Sequence, residues 1–315
     1  MDMKKFAALM ASVCLVPSVS HGADTAFGTL EPYGEFSVYQ LSGSGFSETY
    51  WYGDFGVRFD VAADSLPVNL GFYVGYEGRD RLDNGEFSDY DGYLSAAMVL
   101  QRDTHEVSIG SPRSVISDVF SQRDRIKGVD QILYLKGYID TVRYGRELLN
   151  QRFYGVRYDT EWGATSLSSG LFWDKQDNNV SRVLQVAVDH KVGDLRFRAG
   201  LERNENVISD LGYVYAVGVS ATNSKVSYGF DASLTKDGDN ETTIVDLFST
   251  YRFNDKLKAG LGHLIRKNAD DELSVSSVGF EFSPRTYSFV RATVEFESSD
   301  FWDSAVYEAT VGLRF

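Results

Sequence analysis

Cysteine is almost missing. Among 315 residues there is one, Cys14, and it sits inside an apolar run from Phe6 to Val16. Lys4 and Lys5 precede that run, and Pro17 and "SVSHGAD" follow it. This charge, apolar, small order is that of an export signal, with cleavage expected after Gly22. The run is too short to cross a bilayer as a helix, which takes ~20 residues. The bulky Val13 before Cys14, and the place of Cys14 within the apolar core, argue against lipidation. A mature chain over 23–315 then has no cysteine. That excludes a disulfide framework, a thiolate metal site and a cysteine nucleophile.

Basic charge is also short. Lys and Arg number 31 against 45 Asp and Glu, and without residues 1–22 the balance is 29 against 44, or −15. Such a surface cannot replace the counterions of a polynucleotide, so no nucleic acid is expected as a partner. Of four histidines, His21 falls in the expected signal, and His105, His190 and His263 lie far apart in sequence without H-x-x-x-H spacing. No G-x-S-x-G elbow occurs, and the nearest likeness, "LSSG", falls inside an expected strand. No catalytic residues, metal ligands or cofactors are therefore assigned. "NADDE" and "DGDNE" offer carboxylates to Ca²⁺ but lack the spacing of a dedicated site. Solvated loops facing divalent-bridged lipopolysaccharide account for them better. Proline is rare as well: of five, Pro17 is in the signal, Pro32 opens the first strand, Pro67 and Pro284 fall in turns, and Pro112 starts a long loop. None breaks a strand interior.

The mature chain has no apolar run near ~18 residues. Alternation is there instead. "YEATVGLRF", at the C-terminus, sets Tyr307, Ala309, Val311, Leu313 and Phe315 against Glu308, Thr310, Gly312 and Arg314. "WYGDFGVRFDV", "VNLGFYVGYEGR", "LRFRAGLER", "VSYGFDASL" and "VRATVEF" repeat the pattern. A period of two over eight to twelve residues means strands with one apolar face. About sixteen such segments follow one another. They run over roughly 29–39, 50–61, 68–79, 90–101, 105–110, 152–160, 165–173, 183–190, 195–203, 212–222, 224–234, 242–253, 257–267, 273–282, 288–297 and 305–315. An even number of strands near ~9–11 residues suits a transmembrane antiparallel β-barrel.

Connections sort by parity. "RDT", "EWGA", "KVGD", "TNS", "NDK" and "SPRT" are short, whereas "LSGSGFSE", "DRLDNGEFSD", "DKQDNNVS", "NENVISD", "TKDGDN", "NADDE" and "SSDFWD" are longer and charged. Short turns on one rim and loops on the other suit a barrel inserted from the periplasm. Aromatics gather toward strand ends, at Tyr50, Trp51, Tyr52, Trp162, Phe172, Trp173, Phe253, Phe280, Phe282, Tyr287, Phe301 and Trp302, as interfacial girdles do. In such a barrel the apolar faces meet lipid and the charged faces line the lumen. His190 and His263 fall on the lipid-facing sets. A secreted β-sandwich would reverse the two environments. The terminal strand carries the pattern to its last residue because it must pair back onto the first.

One connection is unlike the rest. Residues 111–151 hold seven Arg and Lys, Arg113, Arg123, Arg125, Lys127, Lys136, Arg143 and Arg146, against five acids that include Asp118 and Asp124. "SVISDVFSQ" has helical spacing, with Val115, Val119 and Phe120 on one side. A loop this long is usually functional, and a barrel of this size otherwise leaves a wide opening. It is expected to fold inward and narrow the lumen, with opposed charges making a transverse field. Wall residues expected to face it are Glu35, Asp54, Arg58 and Arg291.

In this order, "PYGEFSVYQL", "YGDFGVRFDVAADSLPVNLGFYVGYEG", "VSIGSPRSV", "VRYDTEW" and the final phenylalanine resemble the Gram-negative general porins, closest to the alphaproteobacterial kind. The resemblance covers essentially the whole mature chain and rests on the ordered set, since no one motif is specific. It implies a homotrimer of sixteen-stranded, water-filled barrels in the outer membrane, passing small hydrophilic solutes and ions by passive diffusion. It also implies a third loop folded inward, with Arg58 as a wall arginine and Asp118 and Asp124 as loop acids. Glu35 departs from the pattern, standing where the family often carries a lysine. By the same likeness the second loop, "DRLDNGEFSD", latches onto a neighbouring subunit and Phe315 is the assembly signal. Two other functions stay open on the residues alone: a substrate-selective channel with an internal binding site, and the secreted β-sandwich binding module.

Overall fold

The computed structural model describes residues 23–25, 28–61, 67–83, 86–121, 126, 142, 153–176, 179–205, 212–269, 272–299 and 303–315. The expected export signal lies outside them, as do Phe301 and Trp302. A three-residue strand, β1 (Ala23–Thr25), folds back on the start of β2 (Gly28–Gly43) with Ala23 opposite Leu30. It was not expected from the sequence. The first wall then runs through β3 (Phe46–Val61), β4 (Asn69–Asp83), β5 (Glu86–Arg102) and β6 (His105–Ser111). A helix, α1 (Val115–Ser121), interrupts the strands before β7 (Tyr154–Trp162), β8 (Thr165–Gln176) and β9 (Asn179–Val192). The second wall comprises β10 (Leu195–Glu205), β11 (Gly212–Thr222), β12 (Val226–Asp237), β13 (Asn240–Asn254) and β14 (Leu257–Lys267). It ends with β15 (Glu272–Arg285), β16 (Ser288–Ser299) and β17 (Asp303–Arg314). All sixteen expected strands are present.

Each of β2 to β17 pairs antiparallel with its sequence neighbour, and β17 returns to β2 with Tyr307 opposite Ser42 and Arg314 opposite Glu35. The sheet is closed, which leaves no edge of unpaired amides. At the seam the Phe315 amide donates to the Gly34 carbonyl at 2.8 Å. Gly34 has φ +111°, and a Cβ there would lie 2.0 Å from the Asp54 carbonyl oxygen, so only glycine lets β2 bend at this point.

The faces are inside out relative to a water-soluble protein. Leu94, Leu261, Tyr307 and Val217 are 63, 59, 56 and 51 % exposed, while Asp246, Glu202 and Thr310 are fully buried. Strand alternation makes both facts one fact: apolar residues point outward and polar residues point into the barrel. This excludes the sandwich, whose apolar faces would meet each other.

The rim with two-residue turns agrees with the sequence: 103–104, 163–164, 193–194, 255–256 and 286–287. The opposite rim differs from it. "LSGSGFSE" is strand up to Gly43 and again from Phe46, "DRLDNGEFSD" is strand to Asp83 and from Glu86, and "TKDGDN" is strand to Asp237 and from Asn240. Charge does not disfavour a ladder where both faces of the sheet are in water. The expected girdle also needs correction. Tyr50, Tyr52 and Phe172 turn inward: Tyr50 stacks on Tyr39 at 5.3 Å, Tyr52 is buried beside them, and Phe172 is fully buried. In a run such as Tyr50-Trp51-Tyr52, adjacent side chains must take opposite faces. Trp162, Trp173, Phe253, Phe280 and Phe282 are exposed on the outside, as expected.

If the outer face meets hydrocarbon, a charge at its middle is costly. Val217 lies at the centre of β11, and Val217→Arg is expected to destabilise the folded barrel by about 2–4 kcal/mol in reversible denaturation from lipid vesicles. A cost near zero would mean that this face is already in water.

Candidate functional site

The interior is occupied by the start of the long connection. Ser114 caps α1, its hydroxyl accepting from the Ser117 amide at 3.2 Å. Gln185 of β9, fully buried on the inner wall, holds the same helix end. Its side-chain oxygen accepts from the Val115 amide (2.8 Å) and the Ser114 hydroxyl (3.2 Å), and its nitrogen donates to Glu202 (2.8 Å). The helix buries Val115, Ile116, Val119 and Phe120 with Phe172, Val183, Ala187 and Ala216. The inner wall therefore carries an apolar strip that the alternation did not announce. Its reason is the helix: an apolar helix face needs an apolar seat. Gly170 and Gly200 deepen the seat. A Cβ at Gly170 would come 3.2 Å from Val115, and one at Gly200 would come 3.2 Å from the Phe120 ring.

Farther along, Ile126 reaches the opposite wall. A Cβ at Gly260 of β14 or Gly279 of β15 would stand 2.9 or 2.8 Å from its side chain. Arg123, Asp124 and Arg125, between α1 and Ile126 in sequence, lie outside the described residues.

Beside α1 the loop and wall are laced by charge. Arg113 pairs with Asp54 of β3, and with Asp118 of α1 at 3.6 Å. Arg157 of β7 pairs with Asp118 and, at 2.8 Å, with Asp159. The Arg113 amide donates to the Tyr73 hydroxyl at 2.9 Å, and its guanidinium lies 5.5 Å from the centre of the Tyr33 ring. Burial alone would lower the pKa of Arg113, but the facing Asp118 and Asp54 carboxylates reverse this and hold it well above the ordinary value. The loop is fixed to the wall by these ion pairs. Arg58 is held nearby, at 3.0 Å from both Asp60 and Glu106. These groups surround a cavity of about 460 Å³ whose lining includes Tyr33, Tyr73, Gln101, Arg58, Arg113 and Arg157.

A second cluster lies at the closing seam. Arg291 meets Glu281 at 3.0 Å and Glu35 at 3.8 Å, and Arg314 meets Glu281 at 2.7 Å and Glu35 at 3.2 Å. Both guanidiniums lie over the Phe289 ring, at 4.8 and 4.3 Å. The wall residues chosen from sequence therefore divide. Arg58, Asp54, Arg113 and Asp118 come together at the loop, whereas Glu35 and Arg291 belong to the seam. Six of these ion-pair partners were not singled out: Asp60, Glu106, Arg157, Asp159, Glu281 and Arg314. "VRYDTEW" and "YEATVGLRF" already put Arg157 and Arg314 on polar faces; what their alternation does not carry is which other strand's carboxylate each one meets. Gln185 gave no signal at all.

The three histidines point outward, each joined through Nδ1 to a hydroxyl on the next strand. His105 meets Tyr158 (2.8 Å) and Thr160 (3.0 Å), His190 meets Thr165 (2.7 Å), and His263 meets Ser276 (2.9 Å). His190 and His263 thus lie on the face assigned to them. Among the described residues, no group of three or more His, Cys, Asp or Glu could hold a metal ion.

No protein-family model matches the sequence, and no curated protein matches it. Solved structures do match the fold. An in-vitro folded OmpT of Vibrio cholerae, an outer-membrane protein in a trimer form, superposes with a TM-score of 0.67 at 15% identity, over 92% of this chain and all of that one. An anion-selective porin from Comamonas acidovorans gives 0.65 at 12%, over 91% of this chain and 99% of that one. A triple mutant of the Rhodopseudomonas blastica porin gives 0.62 at 12%, over 91% of this chain and all of that one. The chain has the fold of outer-membrane barrels.

Asp118 joins two guanidiniums, so Asp118→Asn leaves both short of a partner. A lost charge-assisted bond of this kind costs about 1–3 kcal/mol. In single-channel recordings the variant is expected to show more frequent transitions and a larger mean conductance than wild type. Unchanged traces would mean that the ion lattice does not hold the loop.

Proposed function

We propose that the protein is an outer-membrane porin: a water-filled channel through which small hydrophilic solutes and ions diffuse passively. It is made with a cleaved export signal over 1–22 and assembles as a homotrimer. The observation that carries this is the charged lattice of loop and wall enclosed in a closed barrel whose outer face is apolar. A polar interior of this kind keeps water in the lumen, and the loop charges set a local field that acts on passing ions. All three described histidines point outward, away from the lumen, which supports transport over catalysis. The V. cholerae trimer supports the assembly.

The lumen favours cations in this account. Among the described residues, the buried charges are nine carboxylates and two guanidiniums. Arg58, lining the cavity with side-chain exposure of 27%, opposes that bias. The test is reversal potential in planar bilayers under a salt gradient. Wild type is expected to prefer cations, and Arg58→Ala to prefer them more strongly. An identical reversal potential in the two would remove Arg58 from the conduction path. Flux that saturates with solute concentration would replace free diffusion by a channel with an internal binding site.

A further inference from the structure

We propose that the outer surface of the turn rim, across β5, β6 and β7, seats the phosphodiester of an anionic phospholipid, with Arg102 and His105 as its basic contacts. The argument starts from which side chains the strands turn inward. Arg58 donates to Gln101 and Glu106 inside the barrel, and Glu106 lies opposite Asp159, so these three share the inner face. Their neighbours Arg102, His105 and Tyr158 then face outward, with the Thr160 hydroxyl buried against His105. Register puts them in one row, since Arg102 is opposite His105 and His105 is opposite Thr160.

The row has the chemistry of an anion seat. Arg102 is exposed and makes no ion pair among the described residues. The His105 ring is fixed by the Tyr158 and Thr160 hydroxyls and lies nearly parallel to the Tyr158 ring, 6.1 Å between centres. With Nδ1 engaged, Nε2 is the polar ring atom left to a ligand. The carboxylates at the same hairpin ends do not compete: Asp103, Glu106 and Glu161 line the cavity, and Glu106 is held there by Arg58.

Shape selects a lipid over a free anion. Directly above the row, toward the barrel centre, Leu100, Val107, Ile109 and Val156 also face outward, Ile109 and Val156 being 41 and 37 % exposed. A charged head with an apolar strip above it is complementary to a phosphate carrying acyl chains. Two strand positions beyond Thr160, exposed Trp162 marks the depth of the membrane–water boundary. Short turns lie on the periplasmic side of bacterial barrels, so the seat faces the inner leaflet. The proposal rests on the membrane-spanning reading of the outer face.

The test is native mass spectrometry of the detergent-folded barrel titrated with phosphatidylglycerol, with phosphatidylcholine of the same chains, and with inorganic phosphate. Wild type is expected to retain phosphatidylglycerol preferentially. Arg102→Gln should reduce that retention roughly fivefold, the effect of one surface cation near a membrane, and Arg102→Gln with His105→Gln should reduce it further. Arg102→Lys should restore most of it. Channel conductance of every variant should equal wild type, since neither residue faces the lumen, and this also shows that the variants fold. Equal phosphatidylglycerol retention in wild type and the double variant would overturn the proposal. So would displacement of the lipid by inorganic phosphate, which would make the row a free-anion site. Preferential capture of a carboxylate-bearing peptide over phosphatidylglycerol would overturn it in favour of a protein partner. Loss of conductance in wild type would instead strike the channel reading.

Discussion

A backbone amide in hydrocarbon has no water to fall back on. Every donor and acceptor in a lipid-spanning sheet must be matched by another strand, and only closure matches the last strand to the first. The pairing of β17 with β2 meets this condition, and the details around it follow from it. Gly34 lets β2 bend where the Phe315 amide arrives. Arg314 and Arg291 draw Glu35 and Glu281 together across the same junction, with Phe289 between the guanidiniums.

Closure also dictates the interior. With the apolar faces outward, polar residues enclose the lumen, and anything placed there must bond to them or bring its own apolar seat. The long connection does both. Its helix sits on an apolar strip hollowed by Gly170 and Gly200, and its N-terminal part is held by Gln185 and by the Asp54, Arg113, Asp118 and Arg157 lattice. The two kinds of contact have different consequences. Apolar packing holds the helix without regard to direction, while the ion lattice fixes which charges face the remaining space.

The architecture was legible because period-two alternation is local and needs no partner to be read. Sixteen strands, the inward helix around Val115–Ser121 and the outward placement of His190 and His263 all follow from residues close in sequence. What alternation misses is whatever depends on a partner from a distant segment. Gln185 is one polar residue among many until Val115 is placed against it, and Phe172 reads as a girdle aromatic until α1 covers it. Glu35 and Arg291 were correctly put on polar faces. Their partners, Glu281 and Arg314, come from the closing seam, because circumferential position follows from the whole barrel, not from any one strand. The loops failed in the opposite sense: charge in "DRLDNGEFSD" reads as loop, yet β4 and β5 simply continue into water.

The scarcity of cysteine gives the account its most direct test. Cys14 is the one cysteine of the sequence, so a Cys14→Ser background accepts a spin label at any chosen position, and nitroxides can be attached separately at Val217→Cys, on the outer face, and at Arg58→Cys, in the lumen. In lipid vesicles, the Val217 label is expected to be relaxed by oxygen and protected from an aqueous nickel chelate, and the Arg58 label to show the reverse. Equal access of the nickel chelate to both would contradict the claim that the apolar face lies against acyl chains.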